Sequence, residues 1–146
     1  MMAYMTEEPP YLVRLGEAQT AVVEALFGFL PDRGWERCVV EYRALSSAAE
    51  TQARLVSADG TEALIPTAKC FRFGLKRLRD LMAGQGRGAW LSVTVTATPD
   101  GTCSFDYNYD NRPNWTVQPA GESYVADLEK YPRPVELVPD WYPRSS

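Results

Sequence analysis

Residues 89–110 read AWLSVTVTATPDGTCSFDYNYD, and their pattern decides the fold. Leu91, Val93 and Val95 alternate with Trp90, Ser92, Thr94 and Thr96. After Asp100-Gly101, a strong hairpin signal, Cys103, Phe105, Tyr107 and Tyr109 alternate with Ser104, Asp106, Asn108 and Asp110. A period of two marks a strand with one buried and one wet face. The segment therefore predicts an antiparallel hairpin over 89–97 and 102–110. One face turns to a core, and the other displays hydroxyls, carboxylates and an amide.

Upstream, the GQGRG run at 84–88 ends a helix predicted over 67–83. Phe71, Leu75, Leu78 and Met82 form its apolar stripe, and Lys69, Arg72, Lys76, Arg77 and Arg79 its expected wet side. Before it come three strand-like runs, at 35–45, 51–56 and 61–65. The first sets Cys38, Val40, Tyr42 and Ala44 against Arg37, Val39, Glu41 and Arg43. Ser46-Ser47-Ala48 reads as a turn, Asp59-Gly60 as a second hairpin turn, and Pro66 as a stop. A first helix is expected over 6–30, capped by Thr6 with Glu7 and Glu8 at its positive end, and ended by the PDRG run at 31–34.

The order α-βββ-α-ββ predicts an α+β fold. About five antiparallel strands form the sheet, and two helices cover one face. That domain spans 1–112. Residues 113–146 read differently, because six of the eleven prolines lie in 111–146, beside Trp115, Tyr124, Tyr131, Trp141 and Tyr142. Proline resists regular structure, while aromatics argue against disorder. This stretch is expected to be an ordered extension packed on the same domain, with one helix over 122–130.

Composition narrows the chemistry. The chain of 146 residues has no histidine, which removes Ser-His-Asp and Cys-His catalysis and His-ligated zinc. Its net charge is −4, and it lacks the basic footprint of a protein that binds nucleic acid directly. The whole excess lies in 100–146, where 8 acidic residues face 4 basic ones. An acidic surface of this kind steers basic partners. No apolar run is long enough to span a membrane, and the start lacks a signal-peptide layout, so a cytoplasmic location is expected. Cys38, Cys70 and Cys103 form no CxxC pair and are expected to be free, buried thiols.

Other motifs fail on inspection. A calcium loop opening at Asp106 would need Gly and Glu where Asn111 and Val117 stand, so no metal is expected. The glycines at 84, 86 and 88 follow a helix and open a strand, the reverse of a phosphate loop. No pair of carboxylates stands out for acid–base work.

The FDYNYD run at 105–110, entered from an Asp-Gly turn after an LSVTV strand, resembles the YezG-like family of bacterial immunity proteins. The helix, three strands ending in Ile65-Pro66, amphipathic helix and hairpin also match that family's layout, over about residues 10–112. The resemblance implies an antitoxin. Such a protein binds the toxic domain of a cognate polymorphic toxin, often a nuclease. A related class of immunity factors opposes NAD-hydrolysing toxins. It implies no catalytic residues and no cofactor, hence no enzyme. The toxin-binding residues expected from the hairpin's polar face and the start of the tail are Asp106, Asn108, Asp110, Arg112 and Trp115, with Trp141. Three alternatives stay open. The tail could instead fold over this face with both tryptophans as anchors, the chain could be a small-ligand or regulatory binding module, or, ranked last, it could be an enzyme using carboxylates alone.

Overall fold

The computed structural model describes residues 8–144. Helix α1 spans Tyr11–Phe29, strands β1 to β3 span Arg37–Leu45, Ala48–Val56 and Glu62–Ile65, and helix α2 spans Lys69–Ala83. Strands β4 (Ser92–Ala97) and β5 (Cys103–Asn108) complete an antiparallel sheet in the order β3-β2-β1-β4-β5. Helix α3 (Gly121–Lys130) and a single 3-10 turn (Val135–Leu137) follow. This is the α+β architecture the alternation predicts. No described helix is long and apolar enough to cross a membrane.

Both long helices pack on one sheet face. Val22 and Leu26 of α1 and Phe71, Leu75 and Leu78 of α2 share a core with Cys38, Val40, Tyr42, Ala53, Val93 and Val95. Each fully buried aliphatic side chain of this kind contributes about 1.5–3 kcal/mol. Helix α1 starts later than expected. Pro9 and Pro10 cannot continue a helix backwards, and the Pro10 carbonyl instead accepts from the Val13 and Arg14 amides at 3.0 and 3.1 Å. The expected Thr6 cap and Glu7 lie outside the described residues. Strand β2 begins three residues early, because Ala48 pairs with Leu45 across a two-residue Ser46-Ser47 turn.

Three expected orientations are reversed. Leu91, assigned by alternation to the core face with Val93 and Val95, instead packs with Leu45 on the opposite side of the sheet. Trp90, assigned by alternation to the polar face, is fully buried in the helix-side core between Tyr42 and Tyr107. The cause is an irregularity before β4. Ser92 is the ladder partner of Asn108, yet the Leu91 amide also donates to the Asn108 carbonyl at 2.7 Å. Two residues thus oppose one, as in a β-bulge, and a bulge re-aims the side chains before it. Arg79, assigned to the wet side of α2, is 2% exposed. Its guanidinium meets the Asp127 carboxylate of α3 at 2.9 and 2.8 Å and donates to the Trp90 carbonyl at 2.7 Å.

That ion pair anchors residues 111–144. A second core joins Leu45 and Leu91 to Trp115, Tyr124 and Tyr142. Asp127 also accepts from the Ser46 amide and hydroxyl at 2.8 and 2.7 Å, tying α3 to the β1–β2 turn. Further along, the buried Arg133 side chain donates to the Ala89 carbonyl at 3.1 Å. Gly88 lies beneath it at φ +80°, where a Cβ would fall 2.4 Å from Arg133 Cγ. The third glycine of the 84–88 run is therefore required by this close approach.

The cysteines also differ from expectation: Cys38 is buried, Cys103 half-buried and Cys70 exposed. Cys38 and Cys103 both face Ala97 from opposite sides. That sets them about 9–10 Å apart, two strand spacings, beyond the roughly 7 Å a disulfide can bridge. Burial, and then the neighbouring Cys103, push the Cys38 thiol up to about 11.

Candidate functional site

The sheet face away from α1 and α2 is built by the alternate residues of every strand. Register aligns them in rows. Leu64, Arg54, Val39, Thr96 and Ser104 form one row. Gln52, Glu41, Thr94 and Asp106 form the next, and Glu50, Arg43, Ser92 and Asn108 the last. Only one side of an antiparallel sheet needs a core, so this side can stay polar.

Residues after the hairpin reach the last row. The Thr116 and Val117 amides each donate to the Glu50 carboxylate at 2.8 Å. Beneath them Arg43 is 8% exposed and bonds Glu41 at 2.9 Å, with Glu50 at 3.6 Å. Arg54 lies 3.2 Å from Glu62 and 3.9 Å from Glu41. Arg43 and Arg54 are thus spent on neighbouring carboxylates, while Arg37, at the start of β1, is exposed without an ion pair among the described residues.

Asp106 is the exception. It is exposed in the middle of β5 and has no hydrogen bond or ion pair from its side chain among the described residues. Its ladder partner is Thr94, with Glu41 one strand further in.

The other expected contacts are placed differently. Asn108 spends its amide internally, donating to Ser92 Oγ at 3.0 Å and the Asn111 carbonyl at 2.8 Å while accepting from the Asn111 amide at 2.9 Å. Asp110 lies beyond the strand, with its side chain 78% exposed and 4.0 Å from Arg133. The Asp110 carbonyl accepts from Trp141 Nε1 at 2.7 Å. Arg112 lies over the Trp141 ring at 5.0 Å and donates to the Trp141 carbonyl at 3.2 Å. Trp141 stands edge-on to Tyr124, with centroids 5.8 Å apart. Trp115 is buried in the second core, and its indole N–H has no partner among the described residues.

Asp110, Arg112 and Trp141 therefore form one contact group, Trp115 belongs to the second core, and Asp106 stands apart on the open face. Both tryptophans sit where an anchoring role places them, yet the tail covers only one end of the face, from the Leu45–Ala48 pair to Glu50.

Glu41 and Gln52 are neighbours that sequence reading did not single out as site residues. The alternation in 35–45 set Glu41 opposite the core, but only the register puts it in the Asp106 row.

Chemically, the face offers carboxylates, an amide and hydroxyls, a set suited to gripping Lys and Arg side chains or hydrogen-bond donors. Among the described residues no group of three metal-binding side chains converges. An open hollow of about 320 Å³ lies between the helices, next to Arg14, Glu17, Gly74 and Arg77, on the opposite side of the molecule. Neither a family model nor a curated protein matches the chain.

Proposed function

We propose that the chain is an immunity protein that binds the toxic domain of a cognate polymorphic toxin in the cytoplasm and occludes its active site. The observation that carries this reading is the exposed, unpaired Asp106 carboxylate, set in a row with Thr94, Glu41 and Gln52 on the sheet face that α1 and α2 leave free. A nuclease or NAD-hydrolysing domain holds phosphates with basic side chains, and a carboxylate on a rigid strand can occupy that charge. The excess of acidic residues over 100–146 adds a field that attracts such a domain. Catalysis has no part in the reading, since inhibition needs only complementarity and a slow off-rate.

The test is co-expression with the C-terminal toxic domain encoded beside the chain's own gene. The wild type restores growth and co-purifies with that domain. Asp106→Lys sets like charges against each other at the interface, which costs at least about 2 kcal/mol, or roughly thirtyfold in affinity. Asp106 has no internal partner to lose, so the variant melts like the wild type. Tight binding by the folded variant would place the interface elsewhere.

A further inference from the structure

We infer that the outer edge of β5 is a docking site for an extended segment of the partner, which joins the sheet as a sixth strand and sets a Lys or Arg beside Asp106. The inference rests on the immunity reading above and names how that partner is held.

The ladder decides which main-chain groups face outward. The Thr98 amide donates to the Thr102 carbonyl at 2.9 Å, and the Leu91 amide to the Asn108 carbonyl at 2.7 Å, at the two ends of the β4–β5 pair. Hydrogen-bonded pairs alternate along an antiparallel ladder. Between those ends they fall at Thr96–Ser104, Thr94–Asp106 and Ser92–Asn108. Ser104, Asp106 and Asn108 thus turn their N–H and C=O groups to β4, and Cys103, Phe105 and Tyr107 turn theirs outward. Among the described residues no hydrogen bond reaches those outward groups, and β4 is the only element in extensive contact with β5.

Unpaired edges are normally blunted by Pro, Lys, a bulge or shortness. The opposite edge, β3, follows this rule, with four residues running into Pro66. β5 has six residues, no Pro and no Lys, and the bulge lies on the other side of its ladder. Main-chain pairing at such an edge supplies affinity, while side chains select the partner. The one charge on β5 is Asp106. Pairing with a second copy about Phe105 would bring two Asp106 carboxylates onto one face about 7–8 Å apart on the diagonal, within the screening length. A partner strand carrying Lys or Arg there meets no such repulsion.

Amide hydrogen exchange tests this on the wild-type chain with the C-terminal toxic domain encoded beside its gene. In the free protein Phe105 and Tyr107 exchange quickly; in the complex both slow by at least about tenfold. Phe105→Pro removes an outward N–H that no ladder bond uses, a substitution edge strands accept. It should bind about tenfold more weakly than Phe105→Ala, which keeps the N–H. Should Phe105→Pro not fold, the wild-type exchange pattern decides alone. Fast exchange at Phe105 and Tyr107 in a stable complex overturns the edge and leaves the immunity reading standing. Protection of both amides in a homodimer of the free chain assigns the edge to a second copy and also overturns it. Failure of the wild type to bind overturns both readings.

Discussion

Replacing Asp127 by Ala removes one side of a buried ion pair and leaves the other in place. Arg79 and Asp127 are each 2% exposed. The guanidinium would keep only the Trp90 carbonyl as a partner. An orphaned buried charge costs about 3–5 kcal/mol. Ser46 adds to this, because its amide and hydroxyl both donate to Asp127, and an unsatisfied amide costs about 1–3 kcal/mol. The sum approaches the lower end of a typical domain's stability of about 5–15 kcal/mol. At roughly 2–4 °C per kcal/mol, the melting temperature of Asp127→Ala should fall by at least about 8 °C. Arg79→Met combined with Asp127→Leu removes both charges and leaves only the Ser46 donors and the Trp90 carbonyl unmet, so it should lose less than Asp127→Ala, about 2–4 kcal/mol. Thermal and urea melts of the wild type, Arg79→Met, Asp127→Leu and the double variant complete the cycle, with Asp127→Ala measured beside them. A double variant as unstable as Asp127→Ala would refute the claim that the unpaired charge dominates.

Two further outcomes follow from the packing. Leu75→Ala and Leu78→Ala each open a cavity in the main core and should cost about 2–5 kcal/mol in urea unfolding; melting unchanged from wild type would show that the α2 stripe is not buried. Burial, and then the Asp127 carboxylate, push the Tyr142 hydroxyl up to about 12. The folded chain therefore holds this proton more tightly than the unfolded chain, whose tyrosine titrates near 10, and the associated stability is complete below pH 10 and lost as pH rises toward 12. Melting curves from pH 9 to 12 should show that decline, with a smaller slope for Tyr142→Phe; equal slopes would remove Tyr142 from the account.

The fold was legible wherever a local period governs burial. Val93 and Val95, and Leu75 and Leu78, each sit where their spacing puts them. Reading failed where a partner distant in sequence decides. Arg79 carries the same local signature as its exposed neighbour Arg77, and only Asp127, 48 residues away, makes its burial tolerable. Trp90 continues the alternation of 91–97, and nothing local announces the bulge that reverses it. Ser46-Ser47 lacks the glycine that two-residue turns favour, and no non-glycine residue has positive φ among the described residues, yet Asp127 ties the turn from α3. The candidate site divides in the same way. Asp106 was readable because its exposure follows from strand parity. The internal roles of Asn108, Trp115 and Trp141 depend on the path of residues 111–144, which long-range contacts set.

The dimensions of the open face bear on what a partner must touch. Five strands at about 4.8 Å spacing make it about 24 Å wide, and about five residues free of the Thr116–Val117 crossing make it about 17 Å long. That is about 400 Å² in projection, and side-chain relief raises the accessible area to about 600 Å² at most. A standard interface takes about 800 Å² from each partner. The face alone is too small to hold an inhibitor on an enzyme, so a bound domain has to extend past one of its borders. One border is already taken by residues 115–117 on Glu50, and another by the short β3 strand with its charged Glu62. The β5 side is different: it carries the unpaired Asp106 on its face and unpaired main-chain groups along its edge, so a domain gripping Asp106 is already positioned to add a strand there.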